Sequence, residues 1–232
     1  MGVGVAGANK LTLWLLTDGA PGHWSQSQGI ADALAQQHEI DIQRVKLKVR
    51  SSLWKRLGRL CLPWIKSPNF WLARVYELEL PTATPDMIIS SGANTLLANA
   101  LLARQQQVPN VYSGTLKGYD FGAYHVIFTV VGLGFPNNCV LPLPPVPAEI
   151  FNVPAAAIAS EPLVAVLIGG DGAGYEFLAD DWHAMAAWLK ALAAEHGARL
   201  LLTTSRRTGV DAEQLLKLMQ VLRGLFSYTV IA

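Results

Sequence analysis

Two stretches of this 232-residue sequence combine glycines, hydroxyls and titratable groups at spacings that suit ligand chemistry. The first is DGAPGHWSQSQG, Asp18 to Gly29. Gly19 and Gly22 let the backbone approach a ligand and Pro21 fixes the loop, while Ser25 and Gln26 fall where a helix start would turn free N–H groups outward. A phosphate, sugar or carboxylate could be held there. Asp18 or His23 is the candidate base, since an imidazole titrates at about 6.5 and a carboxylate can also take a proton. The same residues also spell an ordinary turn, with Ser25 capping a helix and His23 on the surface. Ser91 and Gly92, in SSGAN, form a second small-residue junction that leaves room for a ligand or simply caps the next helix. The polar loop Ser113 to Gly118 is either surface or a further part of that edge.

The second stretch lies near the C-terminal end. Gly169 and Gly170 open a glycine-rich loop, GGDGAG, that exposes backbone, and Ser205, Arg206 and Arg207 follow a later apolar run. Guanidinium groups donate in pairs to phosphate oxygens, so these residues are the candidate phosphate binders. Surface ion pairing is the alternative for the two arginines.

The elements that must position these residues are legible as alternating strands and helices, the pattern of parallel sheets flanked by helices. Apolar runs at 11–17, 40–49, 87–90, 108–113 and 125–131 predict strands, and helical spacing predicts helices over 25–37 and 94–106. The Pro- and Ala-rich stretch 146–162 reads as a linker. Beyond it, strands are predicted at 163–168, 199–204 and 228–231, and helices at 181–196 and 210–225. The expected organisation is a Rossmann-like lobe over 1–145 and a second such lobe over 163–232. Three strands with no cover beyond them lead to the expectation that the second lobe is truncated at the C-terminus.

Composition narrows the class. Hydrophobic residues make up 51% and charged residues 15%, enough for large cores. No run reaches the roughly 18 apolar residues of a membrane span, and no signal peptide is read, so a cytoplasmic protein is expected. Cys61 and Cys139 have no CxxC or His-rich partner pattern, which argues against a zinc site or a disulfide framework. The segment Arg44 to Arg74 holds nine of the 18 Lys and Arg residues and no acidic residue. With Leu53, Trp54, Leu57, Leu60, Trp64 and Ile65 interleaved, it suits either an anionic membrane surface or a basic helix packed by its apolar side. No nucleic-acid-binding motif accompanies it, so no nucleic acid is expected.

The opening DGAPGHWSQSQGIADAL resembles the DGxPGHxxQxxGLAxAL opening of the ELM-type (mitochondrial fission protein ELM-like) family of GT-B-like glycosyltransferases. PDMIISSG, VAVLIGGDGAGYEF and LLLTTSRRTG continue the resemblance in the family's order. It implies two Rossmann-like lobes, with a nucleoside diphosphate sugar held by the second, an acceptor at the first and the cleft between them. Departures are Ala93-Asn94, where members often carry basic residues after the turn, and Ser113-Gly114-Thr115, where they often show an Asn-Pro-Arg-like element.

The function expected on these grounds is sugar transfer to a cell-envelope or membrane-associated acceptor, with the protein peripheral at the inner face of the membrane. Asp18 and His23 would be catalytic. Gly169, Gly170, Ser205, Arg206 and Arg207 would face the donor phosphates. Gly19, Gly22, Ser25, Gln26, Ser91 and Gly92 would line the acceptor side. No cofactor is expected beyond the nucleotide sugar as co-substrate, and no DxD-like metal pair is present. The rivals are a non-catalytic membrane-peripheral adaptor on the same fold and a nucleotide-sugar epimerase. The latter was expected to need a nicotinamide cofactor and a GxGxxG turn, which the sequence lacks.

Overall fold

The computed structural model describes residues 10–147, 162–171, 176–204, 208–209 and, as backbone, 226–228. It divides into two compact units, Met1–Asn152 and Val153–Ala232.

The first unit starts with β1 (Leu11–Thr17), α1 (Pro21–Ala35) and β2 (Ile40–Val49), a right-pattern βαβ opening. A basic stretch follows as α2 (Ser52–Cys61), a 3-10 turn (Leu62–Trp64) and α3 (Pro68–Val75), leading into the short β3 (Tyr76–Leu78). Then come β4 (Met87–Ser91), α4 (Leu96–Gln106), β5 (Asn110–Ser113), β6 (Val126–Thr129) and β7 (Asn138–Val140). The strand order is β3-β2-β1-β4-β5-β6-β7, parallel throughout except that β2 and β3 run antiparallel.

Alternation along β1 feeds two cores. Leu13 and Leu15 pack with Ile30 and Ala31 of α1, whereas Trp14 and Leu16 pack with Leu97 and Leu101 of α4. α1 and α4 therefore cover opposite faces of one sheet. Since β1 and β4 are neighbours whose following helices leave to opposite sides, a crevice opens at their carboxyl ends, the topological switch point of an open α/β sheet. A buried amide network holds this frame. Asn99 on α4 donates to Ser90 Oγ (2.8 Å) and to the Val111 carbonyl (3.0 Å), and Asn110 donates to Asn99 Oδ1 (2.6 Å).

Three expectations shift. The first helix begins at Pro21, not Ser25, because proline at the first helical position has its φ preset and needs no N–H partner. The strands β3 and β7, three residues each, were not read from the sequence. The basic stretch from Arg44 to Arg74 is likewise not one helix but the end of β2 followed by α2, the 3-10 turn and α3.

The second unit carries β8 (Leu163–Leu167), α5 (Ala179–His196), β9 (Arg199–Thr203) and β10 (Phe226–Tyr228), a parallel sheet of order β10-β9-β8. Leu189 and Ala193 of α5 pack on Leu200 and Leu202 of β9. The helix expected over 210–225 lies outside the described residues, and the strand expected at 228–231 overlaps them only at Tyr228.

Candidate functional site

At the switch point, the loop after β1 and the loop after β4 supply one connected set of polar groups. Asp18 follows directly on β1, and its carboxylate is gathered into the crevice. Oδ1 lies 2.9 Å from His23 Nδ1 and accepts from the Ala20 N–H (3.3 Å), while Oδ2 accepts from Asn94 Nδ2 (3.1 Å). The Asp18 side chain is only 10% exposed, that of His23 38%. Burial raises the Asp18 pKa, but the bonds from His23, the Ala20 amide and Asn94, with the neighbouring imidazole, outweigh it and leave the carboxyl below its usual range. Asp18 is thus held as a carboxylate that orients His23.

The geometry depends on two glycines. Gly19 takes φ +87°, a left-handed conformation that lets the chain turn from β1 into α1. Gly92 takes φ +95°, and a Cβ there would lie within 2.2 Å of His23 Nδ1. The absent side chain is the space that the imidazole occupies. Gly22, with Pro21, sits exposed in the first turn of α1, where the N–H groups of His23 and Trp24 already bond to the Ala20 carbonyl. Ser25 and Gln26 therefore lie inside α1 and not at its N-terminus, and that end is not the amide cradle expected from the sequence. Gln26 instead spans the crevice, its Oε1 accepting from Ser91 Oγ and Ser113 Oγ at 3.0 Å each.

Two further residues join the set. Asn94 bonds Asp18 on one side and accepts from Lys55 Nζ on the other (2.7 Å). Lys55 comes from α2, which brings a cation to the turn where the chain carries Ala93-Asn94. Burial lowers the Lys55 pKa and Arg56 lowers it further, against a raising influence from Asp18. Buried Tyr76 fixes the backbone here, its hydroxyl donating to the Asn94 carbonyl (2.9 Å). A groove of about 490 Å³ runs from Asp18 and Gly19 past Asn94 to Arg44, Lys46 and Lys48, which line one side of β2. A second groove, about 330 Å³ and largely apolar, starts at Gln26 and Ser113 and continues along Phe128, Val130, Leu141 and Leu143.

In the second unit, Gly169 and Gly170 follow β8 at its carboxyl end. The Thr208 hydroxyl, beyond β9, donates to the Gly169 carbonyl (2.7 Å), which brings Thr208 beside the carboxyl end of β8. The Phe177 N–H donates to Asp171 Oδ1 (2.9 Å). Ser205, Arg206 and Arg207 lie outside the described residues. α5 opens with Asp180 and Asp181, whose charges oppose anion binding at its N-terminus.

Known proteins compare as follows. The sequence model of a family described as Mitochondrial fission ELM1 matches residues 148–227, a stretch that holds the VAVLIGGDGAGYEF and LLLTTSRRTG segments of the resemblance. No curated protein sequence matches the chain. Among solved structures, an S. aureus MnaA–UDP co-structure is similar to the chain with a TM-score of 0.51 at 10% identity, over 95% of this chain and 69% of that one. A UDP-GlcNAc 2-epimerase from Methanocaldococcus jannaschii gives 0.48 at 10% identity (96% and 73% covered). The apo form of the lipopolysaccharide outer core galactosyltransferase WaaB gives 0.41 at 8% identity (95% and 68% covered). The fold is GT-B-like, an α/β architecture of Rossmann-like units.

Proposed function

We propose that this chain is a glycosyltransferase that moves a sugar from a nucleoside diphosphate sugar to a hydroxyl of a cell-envelope or membrane-associated acceptor. The observation that supports this reading is the Asp18–His23 pair at the switch point of the first unit, 2.9 Å apart in a crevice flanked by two grooves. With the proton of the neutral imidazole on Nδ1 and donated to Asp18, Nε2 carries the lone pair that can take a proton. Asp18 holds that tautomer and stabilises the imidazolium that forms. In the transfer step the acceptor oxygen attacks the anomeric carbon and its proton passes to His23 Nε2. The bond from the anomeric carbon to the diphosphate oxygen breaks, and the nucleoside diphosphate leaves with the electron pair.

The charge that develops on the leaving diphosphate is assigned to backbone N–H groups at Gly169 and Gly170 and to Ser205, Arg206 and Arg207. Gly19, Gly22, Ser91 and Gly92 give the acceptor room beside the pair, while Gln26 and Asn94 fix its walls. Ser25, in the second turn of α1, is assigned to the acceptor side with them. The enzyme acts on the cytoplasmic side, with the nucleotide sugar as its only small-molecule requirement. The resemblance of 148–227 to the ELM1 family supports the assignment of the donor to the second unit.

The test is turnover of UDP-, GDP-, ADP-, CMP- and dTDP-sugars by the chain with membrane extracts as acceptor source, reading nucleotide release and the fate of the sugar. His23→Ala is expected to slow turnover by about 10²–10⁴-fold with donor affinity unchanged. Full turnover in His23→Ala removes the base assignment. Recovery of a free epimerised sugar, with none transferred, replaces the transferase with an epimerase.

A further inference from the structure

The leucines of α2 do not face the core. At 100° per residue, Leu53, Leu57 and Leu60 fall within roughly 60° of arc, and Trp64 lies in the 3-10 turn that follows. They are 66%, 39%, 61% and 76% exposed. The helix is instead seated by its opposite side, where Gly58 is its one fully buried residue. A Cβ there would come within 2.6 Å of Leu97 on α4 and 3.2 Å of the Trp71 ring on α3. Trp54 and Cys61 pack beside it. Of the apolar residues expected to seat a basic helix, Trp54 and Ile65 pack on the core, and the leucines do not.

Cations border the exposed stripe. Arg56 is exposed at its margin, Arg59 reaches the Lys117 carbonyl (3.1 Å) and Lys66 is exposed just past Trp64. Phe70 of α3, 48% exposed, stacks edge-on with Trp54, and Arg74 lies over both rings. No carboxylate occurs anywhere from Arg44 to Arg74. This charge decides the occupant. A second copy of the chain would set one row of cations against another, and a nucleic acid would leave the leucines and Trp64 in water. An anionic bilayer satisfies both features, taking the apolar side chains at the acyl boundary and the Lys and Arg heads among the lipid phosphates.

We propose that α2 and the 3-10 turn after it dock the chain on an anionic membrane surface through Leu53, Leu57, Leu60 and Trp64, with Arg56 and Lys66 at the headgroups. The same helix delivers Lys55, from the side opposite its leucines, to Asn94, which bonds Asp18, so docking holds the candidate acceptor site about one helix diameter, roughly 10 Å, from the lipid. The proposal deepens the transferase reading by naming where its acceptor is met, but its evidence is the exposed stripe and not the catalytic pair. Among the described residues no helix is long and apolar enough to cross a membrane.

The experiment is co-sedimentation of the whole chain, without nucleotide, with vesicles of neutral phosphatidylcholine or of phosphatidylcholine containing phosphatidylglycerol. Binding is expected to the anionic vesicles only and to weaken as salt rises. Leu57→Ser/Trp64→Ser should abolish it, and Arg56→Gln and Lys66→Gln should each weaken it about fivefold. Because these side chains are exposed, far-UV circular dichroism and melting temperature should match the parent chain. Equal binding by Leu57→Ser/Trp64→Ser, no pelleting with anionic vesicles, or a dimer in light scattering that those substitutions dissociate would each overturn the proposal. A chain that binds vesicles but no nucleotide leaves docking standing and removes the transferase reading; the converse removes docking alone.

Discussion

α2 and α4 touch each other and are both rich in leucine, yet they use it in opposite ways. In α4 every residue from Leu96 to Ala103 is buried between the sheet and its neighbours, including the polar Asn99. In α2 only Gly58 is fully buried, and three leucines face solvent. The difference lies in what else each helix carries. α4 interleaves Ala with Leu and defers its one cation to Arg104 in the last turn, so it can be enclosed. α2 carries Lys55, Arg56 and Arg59, whose charges cannot be enclosed in an apolar core, and so it rests on the domain through Gly58, Trp54 and Cys61 while its leucines stay outward. A leucine-rich helix is thus scaffold or docking surface according to its charges.

The largest expected effect that would sharpen this contrast comes from truncating each helix. Leu101→Ala, at a fully buried site, should cost about 2–5 kcal/mol in denaturant unfolding, whereas Leu57→Ala should stay within about 0.5 kcal/mol. Equal losses would break the comparison. Next is Asn99→Ala, which strands Ser90 and Asn110 partners in the α4 network and should cost about 1–3 kcal/mol. Gly58→Ala should be milder, because better helix propensity, about 1 kcal/mol, offsets part of the overpacking against Leu97 and Trp71. A loss as large as that of Leu101→Ala would mean that the α2 seat is as rigid as the core.

The smallest effects are electrostatic. Folded Asp18 binds its proton less readily than an unfolded aspartate, whose pKa is about 3.9, so its ionised form adds stability above that pH, and this is lost as pH falls through the lower folded value. Asp18→Asn should therefore flatten the fall of melting temperature between about pH 5 and about pH 3. The same substitution removes the influence that props up Lys55, so its ammonium, followed by NMR, should titrate lower still. An unchanged Lys55 titration would show that the bridge through Asn94 transmits no charge.

Much of the frame is legible in the residues themselves. β1, β2 and β4 announce themselves as apolar runs, and the junctions at the carboxyl ends of two of them carry Asp18, His23, Ser91 and Gly92, which the fold brings together. β3 and β7 escape because three residues leave no period to read, and β3 is recognisable only by its pairing with β2. The start of α1 is hidden by glycines and a proline that read as a turn. Lys55 is invisible for a different reason. Its partner Asn94 lies 39 positions away, and only the close seat at Gly58 brings them together. Nor can the period of α2 say which side is buried, because the leucine stripe is as regular facing solvent as it would be facing a core.

The account rests on nucleotide-sugar binding, and the measurement that tests it most directly is the melting temperature of the chain against a panel of UDP-, GDP-, ADP-, CMP- and dTDP-sugars. One nucleotide family should raise it, by the equivalent of about 2.7 kcal/mol at a hundredfold excess over Kd, and Arg206→Ala should erase the rise. No shift with any member of the panel would contradict the transferase assignment.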